Sequence, residues 1–89
     1  MARNEVNVYK VARRRYLAGP PSDEITIVAS IEAHAVNLYI ADVYGRNIPV
    51  THLYGSTYRV EAPRPMPYRG SRVEYIQAEL VSSGHAFFS

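Results

Sequence analysis

Residues 24–45 read EITIVASIEAHAVNLYIADVYG, and whether this run is extended or helical decides the fold. In its first part Ile25, Ile27, Ala29 and Ile31 alternate with Glu24, Thr26, Ser30 and Glu32, and Val28 breaks the pattern. Period-two alternation of β-branched side chains marks a strand with one buried face. After a short turn near Ala33 to Ala35 the alternation resumes, with Val36, Leu38 and Ile40 on one side and Asn37, Tyr39 and Ala41 on the other. A single helix from a Ser22 cap to Gly45 competes, because PPSDE puts acids in a first turn. Ile25, Val28, Ala29, Glu32, Ala35, Val36 and Tyr39 would then share one face. That stripe contains a glutamate and mostly weak helix formers, so two strands are the expectation.

Downstream, DVYGRN carries Gly45 and Asn47, which tolerate the positive φ of a tight reversal, and a hairpin into IPVTHLY is expected. Pro49 places that strand at a sheet edge, or starts it after the proline. Gly55 turns the chain into a strand where Tyr58 and Val60 alternate with Arg59 and Glu61. In SRVEYIQAELVS the cleaner apolar face is Ile76, Ala78 and Leu80, with Glu74 on the same side. Upstream, EVNVYKV reads as a strand, and RRRYLAGPP as a turn or single helical turn after it. The rhythm of Asp42 to Gly45 and Gly55 to Tyr58 resembles small bacterial Ig-like or transthyretin-like sandwiches, a resemblance that implies architecture alone.

These pieces predict an all-β protein: one domain over residues 1–89, with five to six mostly antiparallel strands in a small barrel or sandwich. A basic amino-terminal segment covers 1–20, and a proline-rich crossover loop at 63–70 precedes the last strand. The expected core is Ile25, Ile27, Ile31, Val36, Leu38, Ile40, Ile76 and Leu80.

A length of 89 residues allows one core, and 47% hydrophobic against 20% charged residues describes a folded chain. With no cysteine there are no disulfides and no thiolate zinc sites. The amino terminus is too charged for a secretory signal, and the apolar run from Ile25 to Val43 is too interrupted to span a bilayer, so a soluble cytoplasmic protein is expected.

Catalytic patterns are weak. Asp42, His52 and a serine satisfy a hydrolytic triad on paper, but no Gly-x-Ser-x-Gly elbow orders them. His34, His52 and His85 lack the spacing of a zinc pair, Glu74 and Glu79 fall on opposite faces of one strand, and no glycine-rich loop precedes a helix. A protein without enzymatic activity, cofactor or metal is the expectation.

Charge and aromatic placement say more. Net charge is +2, and nine of the ten basic residues are arginine, whose planar fork suits phosphate and aromatic faces. Arg13, Arg14, Arg15 and Tyr16 form one cluster. Arg64, Tyr68, Arg69 and Arg72 form another, around Pro63, Pro65 and Pro67. Guanidinium groups beside flat rings fit the phosphates and bases of single-stranded nucleic acid, and alternate prolines stiffen the loop that presents them. The expectation is a nucleic-acid-binding module using these eight residues. The competing expectations are assembly of a homodimer or higher homo-oligomer, and arginines that merely pair with Glu5, Glu61, Glu74 and Glu79.

Overall fold

The computed structural model describes residues 5–64 and 66–86. Five strands, β1 (Glu5–Arg14), β2 (Ser22–Ala29), β3 (Val50–Tyr54), β4 (Thr57–Pro63) and β5 (Ser71–Ala86), make one antiparallel sheet in the order β2-β1-β5-β4-β3, and one helix, α1 (Glu32–Tyr44), joins β2 to β3. The domain is mostly β, as expected, but its sheet is open, with β2 and β3 as edges, and forms neither barrel nor sandwich. A single helix laid across one face does the covering that a second layer of strands would otherwise do. At about 3.3 Å per residue, the sixteen residues of β5 account for the 51 Å long axis.

The run at 24–45 divides at Ser30. Its first part is strand β2, with Ile25, Ile27 and Ala29 turned toward the core as the alternation predicts. Its second part is helix, which corrects the expected strand at 36–41. Ala35, Val36, Tyr39 and Ile40 are the buried residues, spaced one and four apart as a helical face requires. Ile31 caps the helix in an extended conformation, Glu32 places a carboxylate in the first turn, and Gly45 at φ 73° closes it in the left-handed region. Val36 and Ile40 satisfy both periodicities, so Leu38 and Tyr39 decide: Leu38 is 43% exposed and Tyr39 fully buried.

The core therefore differs from the expected one. Val36, Ile40 and Ile76 lie inside it, Ile25 and Ile27 pack against it half-buried, and Ile31, Leu38 and Leu80 are exposed. Tyr9, Val11, Tyr58 and Val60 take their places beneath the helix. The amino-terminal strand and the turn after it form as expected, with the Gly19 amide donating to the Tyr16 carbonyl. Strand β3 begins directly after Pro49 and is an edge, where a missing amide is tolerated. The segment between β4 and β5 joins adjacent antiparallel strands, with Pro63 opposite Ser71 and the Arg64 amide donating to the Gly70 carbonyl, so it is a hairpin end and not a crossover. Pro65, in the middle of that segment, lies outside the described residues. No helix among the described residues is long and apolar enough to cross a membrane.

Candidate nucleic-acid interface

Three of the eight candidate residues are engaged inside the protein. On the helix-covered face Glu74 of β5 is buried at 3% exposure, and its carboxylate accepts from Tyr44 Oη at 2.6 Å, Arg72 Nε at 2.8 Å and Arg13 Nη1 at 3.5 Å. Arg13 also pairs with Asp23 through Nε at 2.7 Å and Nη2 at 2.5 Å. Two half-exposed guanidinium groups thus neutralise one buried carboxylate, and a tyrosine from the end of α1 completes it. Arg14 donates through Nη1 to the Gly19 carbonyl at 2.6 Å, which ties the end of β1 to its own turn.

A second carboxylate, Glu32 at the start of α1, accepts from Ser56 Oγ and Tyr58 Oη, while Tyr39 Oη donates to the Asp23 carbonyl at 2.8 Å. Burial raises the Tyr39 and Tyr44 hydroxyls well above their ordinary range, and the Glu74 carboxylate adds to the effect at Tyr44. Burial, then the hydrogen bond to Glu32, pushes Tyr58 up to about 12. A hydroxyl whose pKa rises on folding favours the folded state in its neutral form. That stabilisation is complete below about pH 10, the unfolded value, and is lost as pH climbs through about 12. Thermal melts at increasing alkalinity are expected to show Tm falling over this window, and Tyr58→Phe to shallow the fall.

The other candidates are at the surface. Arg15 lies over the Tyr16 ring at 5.8 Å from its centroid and Arg64 over Tyr68 at 4.8 Å, and all four side chains, with Arg69, are exposed. Strand register brings the two clusters to one end of the sheet: Arg14 is opposite Tyr75 on β5, and Pro63 is opposite Ser71 four residues beyond. The turn at 15–21 and the hairpin at 64–70 therefore leave the sheet on the same side, the second extending about 13 Å further.

Among the described residues no helix covers the opposite face of the sheet. Glu74, Ile76 and Ala78 point under α1, so Tyr75, Gln77 and Glu79 point away from it. In register with Tyr75 are Arg14 on β1 and Arg59 on β4, an arginine-tyrosine-arginine row across the three central strands, all three half-buried. Among the described residues Arg59 pairs with Glu61 at a long 3.9 Å. Sequence reasoning missed Tyr75 and Arg59. Alternation had put Tyr75 on the face opposite Ile76, but nothing local shows that β5 inserts between β1 and β4.

Comparison with protein families, with curated proteins and with solved structures finds no match to this chain.

Proposed function

We propose that the chain is a non-catalytic module that binds single-stranded nucleic acid across the helix-free sheet face, with its arginine-bearing end gripping the backbone. The row Arg14, Tyr75, Arg59 carries the proposal. A flat ring flanked by two guanidinium groups on an open sheet supplies a stacking surface between phosphate contacts. Arg15 with Tyr16 and Arg64 with Tyr68 extend the same chemistry beyond the strand ends. Arg13 and Arg72 act behind them, held by Glu74.

Fluorescence anisotropy with mixed-sequence single strands tests the proposal. Tyr75→Ala is expected to cost about 1 to 3 kcal/mol of affinity with little change in salt dependence. Contacts from Arg14, Arg15, Arg59, Arg64 and Arg69, at roughly 0.7 each, give an expected log-log salt slope of about −3.5, and Arg69→Ala flattens it. No binding at low salt overturns the proposal. Homo-oligomeric assembly is the second reading, favoured by the outer edges of β2 and β3, which pair with no further strand among the described residues, and by the exposed Val28, Leu53 and Tyr54 on them. Light scattering on the same samples decides it by a mass above 10.0 kDa.

A further inference from the structure

A trough of about 470 Å³ crosses the helix-free face beside Tyr75, and its floor is Ala12, at 7% exposure. Four longer side chains stand round that alanine. Lys10 and Arg14 precede and follow it on the same face of β1. Gln77 of β5 is its register partner, and Glu24 of β2 sits beside it, between the pairs Val11 with Ile25 and Arg13 with Ser22. Glu79, opposite Lys10, closes one end. Among the described residues Lys10, Glu24, Gln77 and Glu79 make no side-chain hydrogen bond or ion pair. Arg14 Nε is buried with no partner either. A small residue ringed by long polar ones makes a pit; Lys10, Glu24, Gln77 and Glu79 reach into water, but the buried Arg14 Nε at its edge is left for a polar occupant to satisfy.

The donor and acceptor pattern narrows that occupant. Glu24 only accepts, Lys10 and Arg14 only donate, and Gln77 does both. The ligand must therefore offer N–H groups on one edge and acceptors on another, within a flat outline. Guanine presents N1–H and the N2 amino group side by side, a match for a carboxylate, with O6 and N7 as acceptors for a cation. Uracil has one such N–H, and the amino-bearing edges of adenine and cytosine set an acceptor beside the donor, where a carboxylate repels. We propose that the pit over Ala12 receives one guanine base of the bound single strand, with N1–H and the N2 amino group on Glu24, O6 and N7 facing Lys10 or Arg14, and the next base on Tyr75. This rests on the nucleic-acid proposal above and adds base selectivity to it.

The test is anisotropy with short oligouridylates, each carrying one central guanosine, adenosine or cytidine, against wild type, Glu24→Gln and Ala12→Leu. Wild type is expected to prefer the guanosine strand by roughly tenfold or more, the scale of one good bidentate base contact. Glu24→Gln, an isosteric change at an exposed position, is expected to abolish the preference without lowering affinity for plain oligouridylate, since it removes a negative charge from the face that meets phosphates. Ala12→Leu fills the floor and is expected to do the same, with circular dichroism confirming that it folds. Binding of all strands without preference overturns the guanine pocket and leaves nucleic-acid binding standing. A guanosine preference that survives Glu24→Gln also overturns it. No binding of any strand overturns both.

Discussion

Tyr39→Ala is expected to destabilise the domain by about 3 to 5 kcal/mol, the range for emptying a fully buried aromatic site, whereas Leu38→Ala one residue away costs under about 0.5 kcal/mol. Tyr39 sits at 0% exposure under the crossing helix, between its helical neighbours Ala35 and Val36 and the strands β1 and β2, and Leu38 is 43% exposed. A loss of this size is a large fraction of the stability of a domain so small, so the variant is expected to be largely unfolded at physiological temperature. Tyr39→Phe isolates the hydroxyl: it keeps the ring and removes the hydrogen bond to the Asp23 carbonyl, for about 1 kcal/mol. Asp23 holds a φ of 52° at the register shift between β1 and β2, with Tyr39 on its carbonyl and Arg13 on its carboxylate. Chemical denaturation of the three variants separates the effects. A large loss at position 38 with a small one at 39 would show that residues 36–41 are a strand after all.

Glu74→Ala has the second largest expected effect, about 3 kcal/mol, near the low end of what removing one partner of a buried ion pair costs. The low end applies because Arg13 and Arg72 are each 29% exposed at the side chain and Arg13 keeps Asp23, so water and a second carboxylate soften the loss. The Tyr44 hydroxyl loses its acceptor in the same step. Replacing the charges together, Glu74→Leu with Arg72→Met, is expected to recover part of the stability, since no buried charge is then left facing a half-exposed one. Denaturation midpoints of the single and double variants measure the coupling directly. A loss below about 1 kcal/mol for Glu74→Ala would show that water, not the two arginines, solvates this carboxylate. The same network bears on binding. Glu74 orients the roots of both arginine clusters from beneath the sheet, so a variant that loosens it is expected to weaken the grip of the sheet end without touching the pit over Ala12.

Where alternation outweighed any helical stripe, local pattern was enough. Ile25, Ile27 and Ala29 cannot share a helical face, and Glu74, Ile76 and Ala78 lie on one side of any extended chain, so the inward faces of β2 and β5 were legible before any tertiary contact was known. Pro49 likewise pointed to an edge or to a strand that starts after it, and β3 does both, while the two arginine-tyrosine clusters were visible as composition. Their shared position at one end of the sheet was not.

Composition and alternation were enough for one small, mostly β domain with two clusters of arginine beside a tyrosine, at 13–16 and 64–72. The tertiary structure alone decided that 32–44 is a helix. Val36 and Ile40 fit both periods, and only the apolar sheet face that α1 must cover makes burial of Tyr39 more favourable than burial of Leu38. It alone decided that Glu74 is an ion-pair centre, because Arg13 lies 61 positions away in the chain. It also set Arg14, Tyr75 and Arg59 in one row and Lys10, Ala12, Glu24 and Gln77 round one pit. Those groupings follow from the last strand pairing with the first, a contact between the two ends of the chain that no local pattern encodes.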